Sequence, residues 1–316
     1  MFNRLFGRNK KETAASEPLI DISLGYTRLD EFTQYLSNKQ YQNFEAAYET
    51  LSWDAKTLLN EGIGLNEQCA EDIQRWVKQH PDSYIANLFA GVSNTCLAWI
   101  ARTAKRAVDV SEDNATRYIR LLEEALEYLT RADQLNEEDA EICARTIRVL
   151  MGLSAEEEQT LSYFNAAASF TPNHLMAHLM MLNYLTPKWK GSVEAMHDFA
   201  DTRYAEAGSS LLIVLKLFAI TEEWLWYDMN DENDKHKAFF KDEAFNNSIV
   251  DLYNIYQEEE DGRLLIPYVY NYFAFLFWKM NKKELARELI KKIPGQMTIY
   301  PWAYMGVESN KQLQEL

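Results

Sequence analysis

LLIPYVYNYFAFLFWKM, residues 264–280, is almost wholly apolar and rich in aromatic rings. Whether it is a membrane span, a buried strand or a buried helix decides the fold. A bilayer span needs about 20 apolar residues in succession, and Pro267, Asn271 and Lys279 leave this run too short. The Tyr268, Tyr270, Tyr272 alternation has the period of a strand, but Phe273 directly after Tyr272 breaks it. Reading on through NKKELARELIKKIP, with Asn281 as a turn, puts Tyr270, Phe273, Ala274 and Phe277 on one helix. Ala286, Ile290 and Ile293 then line a second helix with the same four-and-three spacing. The stretch is therefore expected to be a helix buried on two sides in a helical stack. SSLLIVLKLFAI, residues 209–220, is shorter and holds Lys216, and reads the same way. No membrane span is expected.

Outward from this stretch, helix-period spacing runs from about Thr27 to Ile293. Leu29, Phe32 and Leu36 form one stripe; Phe44, Ala47, Tyr48 and Leu51 form another, with the polar break SNKQ between them. That pattern suits an antiparallel helix pair. Ser154 with Glu157 and Asn281 with Glu284 read as capping boxes, and Asn173 and Ser192 each precede an apolar-periodic run. Three segments repeat one pattern: Cys69, Ile73, Trp76, Pro81; Ala125, Leu129, Ala132, Glu137; and Thr160, Phe164, Ala167, Pro172. Their intervals resemble the second helix and closing proline of a tetratricopeptide repeat, and Glu137 and Pro172 stand about one repeat apart. Ala90 and Gly91 provide the small side chains that close helix packing requires.

The chain thus resembles tetratricopeptide-repeat proteins over most of its length, with irregular repeats. A second resemblance covers LMMLNYLTPKWKGSVEAMHDFAD, residues 179–201. It is similar to a segment of an uncharacterised bacterial family of helical-repeat proteins: an aromatic residue, Pro, Arg or Lys, Trp, Gly, Gly and Ser, then Glu, Met and Phe-Ala. Pro187, Lys188, Trp189, Gly191, Ser192, Glu194, Met196, Phe199 and Ala200 fit this segment. Leu185-Thr186 stands at the aromatic position and Lys190 at the first Gly. If that Gly serves a positive backbone angle, Lys190 makes the turn strained. The motif reads as structural, Trp189 anchoring the loop and Ser192 capping the next helix. The resemblance implies a fold and no known activity.

The 316 residues carry a formal net charge of -16, with 47% hydrophobic residues, 11 Gly and 7 Pro. Few turn-formers in so long a chain favour helices, and the length suits two domains or a lengthwise repeat array. An acidic surface repels phosphate backbones and draws basic partners, so nucleic-acid binding is not expected. Cys69, Cys96 and Cys143 form no CxxC pair, which points to reduced, buried thiols and a cytoplasmic address. MFNRLFGRNKKETAASEP lacks the apolar run of a signal peptide and reads as a flexible basic leader.

Signatures of chemistry are sparse. His174 and His178 have the spacing of two metal ligands, with His197 or Asp201 as a conceivable third, but Leu175 excludes HExxH. GxSxG and a P-loop are absent. SAEEEQT, LNEEDAE and YQEEEDG read as solvated loops and helix starts, and DMNDENDKHK lacks the Gly and terminal Glu of a calcium loop. What remains is acid beside aromatic: Glu222, Glu223, Trp226, Asp228, Asp231, Glu232 and Asp234, with Glu258, Glu259 and Glu260 further on.

The expectation is therefore an all-α, tetratricopeptide-like α-solenoid of stacked antiparallel helix pairs. It has a leader at 1–18, a superhelix at 19–295 divisible into 19–186 and 187–295, and a C-terminal cap at 296–316. It is expected to use no cofactor or metal and to catalyse nothing. It would bind a basic protein through those acids, as an immunity-type inhibitor of a toxin or effector. Alternatives are a scaffold of a larger assembly and a metal-dependent enzyme.

Overall fold

The computed structural model describes residues 23–102, 110–259 and 262–305. The leader 1–18, Glu260 and the last part of the C-terminal cap lie outside them. Among the described residues there are fifteen α-helices and no β-strand, so the chain is all-α. It divides into two compact units, with the division inside a helix between Met181 and Leu182, a few residues ahead of Pro187.

Unit 1 covers residues 26–181. Helices α1 (Leu29–Ser37) and α2 (Tyr41–Glu49) form a hairpin across SNKQ, where Lys39 takes φ +58°. Phe32 and Leu36 of one and Phe44 and Tyr48 of the other are buried. α3 (Trp53–Leu59), capped by Ser52, runs into a π-helical turn at Asn60–Gly64. There follow α4 (Ala70–Gln79), α5 (Tyr84–Arg102), α6 (Glu112–Leu135), α7 (Ala140–Gly152), α8 (Glu157–Phe170) and α9 (Leu175–Tyr184). α4 packs on α5, α5 on α6, α6 on α7 and α7 on α8. The three stripes are buried: Cys69, Ile73 and Trp76; Ala125, Leu129 and Ala132; Thr160, Phe164 and Ala167. Trp76 stacks on Tyr41 at 5.5 Å and meets Phe44 at 4.7 Å. Gly91 lets α6 approach closely: a Cβ there would stand 2.6 Å from Leu129 Cγ and 3.2 Å from the Ala125 carbonyl oxygen.

Among the described residues α5 alone is long and apolar enough to cross a membrane, yet 78% of its apolar window is buried inside the protein. Its polar side chains are bonded there: Asn94 accepts from Gln74 at 3.1 Å and donates to Glu124 at 3.2 Å. A core helix explains this composition.

Unit 2 covers residues 182–305 together with 23–25. The last are held by the Gln296 side chain, which donates to the Leu24 carbonyl at 3.1 Å. Its helices are α10 (Val193–Ala207), α11 (Ile213–Met229), α12 (Asn233–Ala238), α13 (Glu243–Glu259), α14 (Ile266–Lys279) and α15 (Lys283–Lys292). Within the stretch 264–280, Ile266–Lys279 form α14, 14 residues long and so about 21 Å, too short to span a bilayer. Every residue from Val269 to Phe277 is buried. It packs on α11 and α15, while Tyr253 and Tyr256 of α13 meet Phe273 at 5.1 and 5.9 Å. On α15 the buried residues are Ala286 and Leu289, so Leu289 occupies the position expected of Ile290, which is only half-buried.

Asn271 is fully buried in this apolar helix and fully satisfied. Its amide donates to the Pro267 and Gln296 carbonyls at 2.7 and 3.0 Å. Its oxygen accepts from Thr298 N at 3.2 Å and Trp302 Nε1 at 2.7 Å. One side chain thereby ties the C-terminal segment to the centre of the unit.

The capping expectations divide. Ser192 caps α10, accepting from Ala195 N at 3.1 Å. Ser154 and Asn281 are not caps. They have φ +56° and +60°, in turns where Glu156 and Lys282 precede the next helices. A left-handed residue reverses the chain more tightly than a capping box does. At α9 the side chain that meets the helix start is His174, whose Nδ1 accepts from Ala177 N at 3.2 Å.

Candidate functional site

The acid and aromatic residues of unit 2 begin in the last two turns of α11, and they do not all face the same way. Glu222 is 4% exposed, held by Lys188 Nζ at 2.6 Å and Tyr304 Oη at 2.6 Å. Glu223 is half-buried between His197 Nε2 and Tyr227 Oη, both at 2.8 Å. Burial acts to raise the Glu223 carboxyl, but these two partners hold it below the usual carboxylate value. Trp224 is buried against the His236 ring at 4.6 Å, with Lys279 Nζ 4.0 Å from its centre. Burial shifts the Lys279 amine downward.

The outward residues come next. Trp226 is half-buried, and Asp228 and Met229 are exposed, Met229 by 55%. Asp231 turns the chain at φ +58° and is exposed, as is Asp234 on α12. Glu232 pairs with Lys235 at 2.6 Å. Lys235, Lys237 and Lys241 follow these acids directly, so the strip carries both signs of charge. Glu258 and Glu259 end α13.

The segment before α10 positions two of those acids. Lys188 supplies the Glu222 partner, and His197, one turn into α10, supplies that of Glu223. Trp189 N–H closes the turn on the Thr186 carbonyl at 3.0 Å, and the Trp189 ring is half-buried together with Pro187. Met196 is fully buried and Phe199 half-buried, with the Arg203 guanidinium 5.8 Å from the Phe199 ring. Lys190 lies outside the positive-φ region, so it brings no backbone strain. Gly191 is needed for space instead, because a Cβ there would run into the Leu185 carbonyl. The sequence showed the motif and the acids separately; that they are ion-pair partners depends on tertiary packing.

Unit 1 holds a polar centre of buried charged side chains on α7 and the π-helical turn. LNEEDAE has the pattern of a solvated helix start, and Glu137 and Glu138 are exposed, but Asp139 and Glu141 are 1% and 0% exposed. Asp139 caps α7, accepting from Glu141 N at 2.9 Å and Ile142 N at 3.2 Å. The Glu141 carboxylate is gripped by the Thr57 hydroxyl, Asn60 Nδ2 at 3.1 Å and Arg145 Nε at 3.0 Å, with His174 Nε2 3.2 Å away. Arg145 also pairs with Glu61 in the π-helical turn. Burial alone would raise Glu141, but the Arg145 charge, His174 and Thr57 bring it down to about 2. The signal in the sequence is Glu141 and Arg145 four apart on a largely apolar helix that also carries Thr146 and Arg148. It is a weak signal, since most such pairs are solvated.

The remaining reactive groups are committed to packing. His178 Nδ1 meets the His174 carbonyl at 2.9 Å and its ring lies edge-on to Phe164 at 5.1 Å, while Trp53 stands against His174 at 5.7 Å. Among the described residues no three His, Cys, Asp or Glu groups are placed to hold a metal. Burial pushes the Cys69 thiol up to about 11 and Cys96 and Cys143 to about 12, so none is an activated nucleophile. Comparison with known proteins finds no family model, no curated protein and no solved structure that matches this chain.

Proposed function

We propose that this chain is a non-catalytic protein-binding protein, a tetratricopeptide-like superhelix of stacked helix hairpins. It acts as an immunity-type inhibitor that neutralises a basic toxin or effector by covering its active surface. The observation that carries this reading is the outward end of α11 and its turn into α12. There Asp228, Asp231 and Asp234 are exposed beside exposed Met229 and half-buried Trp226. Apolar anchors ringed by charge suit a protein interface. The net charge of -16 adds long-range attraction for a basic target. Within unit 1, the packing of α4 on α5, α5 on α6, α6 on α7 and α7 on α8 is in keeping with a hairpin stack. Raised thiols and histidines engaged in the core speak against catalysis. Reduced, unpaired cysteines suit a cytoplasmic address.

The test is co-purification from the native host followed by an activity assay on whatever binds. One stoichiometric basic partner, whose activity is blocked by the chain, supports the reading. Several assembly subunits would make it a scaffold, and turnover of a small compound by the purified chain would overturn the non-catalytic assignment.

A further inference from the structure

We propose that the Tyr227 ring on α11 is the seat for a cationic side chain of the partner, best an arginine, and that Lys235 occupies it in the free protein. This deepens the protein-binding reading, on which it rests, by naming the chemical group that the strip receives.

The geometry begins with Tyr227, half-buried in the last turn of α11. Its hydroxyl donates to Glu223 Oε1 at 2.8 Å, and His197 Nε2 holds the other oxygen of that carboxylate at 2.8 Å. The ring is thereby fixed at its polar edge, and Phe239 stands beside it with 6.0 Å between ring centres. From α12, Lys235 places Nζ 5.0 Å from the centre of the Tyr227 ring and 2.6 Å from Glu232 Oε2. A cation over an aromatic face, paired with a carboxylate, is how proteins receive ammonium and guanidinium groups. Here the chain supplies the cation itself.

The surrounding charge points the same way. Burial, the bond to Glu223 and the charges of Glu232 and Glu194 push the Tyr227 hydroxyl up to about 12. Carboxylates from α10, α11 and the start of α12 therefore act on one ring. Lys235 is held loosely there. Its side chain is 62% exposed, and it pairs with a residue three positions away, on a six-residue helix with no buried residue. Such an exposed pair contributes little, so its displacement costs little. Lys279 differs: it is half-buried 4.0 Å from the centre of Trp224 and belongs to the packing of the unit. An arginine is the favoured incomer. Its planar guanidinium stacks on the ring, still forks onto a carboxylate, and is more weakly hydrated than the Lys235 ammonium.

The test uses the full chain and a tetra-arginine peptide, with binding followed by fluorescence anisotropy at about 0.15 M salt. Lys235→Ala is expected to tighten binding roughly threefold. Lys237→Ala, the same loss of charge two positions along, should tighten it much less. Tyr227→Leu should weaken binding by a similar factor, whereas Tyr227→Phe keeps the ring and should retain most of it. Thermal melts establish that each variant is folded, and the exposed Lys235 and Lys237 positions keep the test valid should Tyr227→Leu not fold. Equal gains from Lys235→Ala and Lys237→Ala, or unchanged binding in Tyr227→Leu, would overturn the proposal, because the peptide then answers to diffuse acidity alone. That outcome leaves the protein-binding reading in place, since co-purification decides it separately.

Discussion

At the scale of single residues, two buried polar side chains bear the largest consequences. Glu141 is the clearer pH reporter. Its folded-state pKa, about 2, lies below the ordinary 4.5, so its contribution is fully present above about pH 4.5 and is lost as pH falls toward 2. Glu141→Gln is expected to lower stability at neutral pH by a few kcal/mol, since Arg145 stays buried with one partner fewer. It is also expected to flatten the dependence on pH between about 4.5 and 2. Denaturant melts across that range measure both, and a wild-type slope that persists in the variant would assign the acid sensitivity elsewhere. Asn271 offers a second case. Asn271→Leu leaves Trp302 Nε1 and Thr298 N without their acceptor, and orphaning each buried donor costs about 1–3 kcal/mol. The expected melt shift should come with a change in Trp302 fluorescence, because the segment 296–302 loses its anchor.

At the scale of elements, close approach is decided by side-chain size. Gly91 of α5 faces Leu129 and the Ala125 carbonyl of α6, whereas Gly208, after α10, takes φ +58° in open space. Gly91→Ala is expected to lower stability by about 1–3 kcal/mol, as overpacking between two buried helices does. Gly208→Ala should cost about 1 kcal/mol through its backbone alone. Thermal melts of the two variants check the order, and an unaffected Gly91→Ala would mean that α6 yields freely. Much at this scale was legible in sequence. The stripes through Ile73 and Trp76, Leu129, and Phe164 are buried because a four-and-three spacing puts them on one helix face. Ser154 and Asn281 are ambiguous in sequence because a capping box and a left-handed turn use the same polar residues.

At the scale of the whole molecule, charge is the lever. Exchanging Asp231, Glu232 and Asp234 for Lys should slow association with a basic partner, most at low salt, while stability falls only by the roughly 1 kcal/mol that Lys costs at the φ +58° of Asp231. Glu232 gives up only an exposed pair with Lys235, worth about 0–1 kcal/mol. Association rates against ionic strength provide the measurement, and an unchanged rate at low salt removes this strip from the interface. Reversing Glu222 is expected to behave differently and damage the fold, because it is buried between Lys188 and Tyr304. The acids that look alike in the sequence thus separate into outward and inward groups.

The sequence by itself determined that this chain is helical, that the stripes through Ile73, Leu129 and Phe164 are buried, and that the stretch 264–280 is a core helix. These properties follow from local periodicity, which each segment carries alone. Only the tertiary structure decided that Lys188 meets Glu222, that Glu141 sits among Thr57, Asn60 and His174, and where the chain divides into two units. Those pairings join residues tens of positions apart. Their energies depend on burial and distance, and neither quantity is written in the spacing of residues along a single helix.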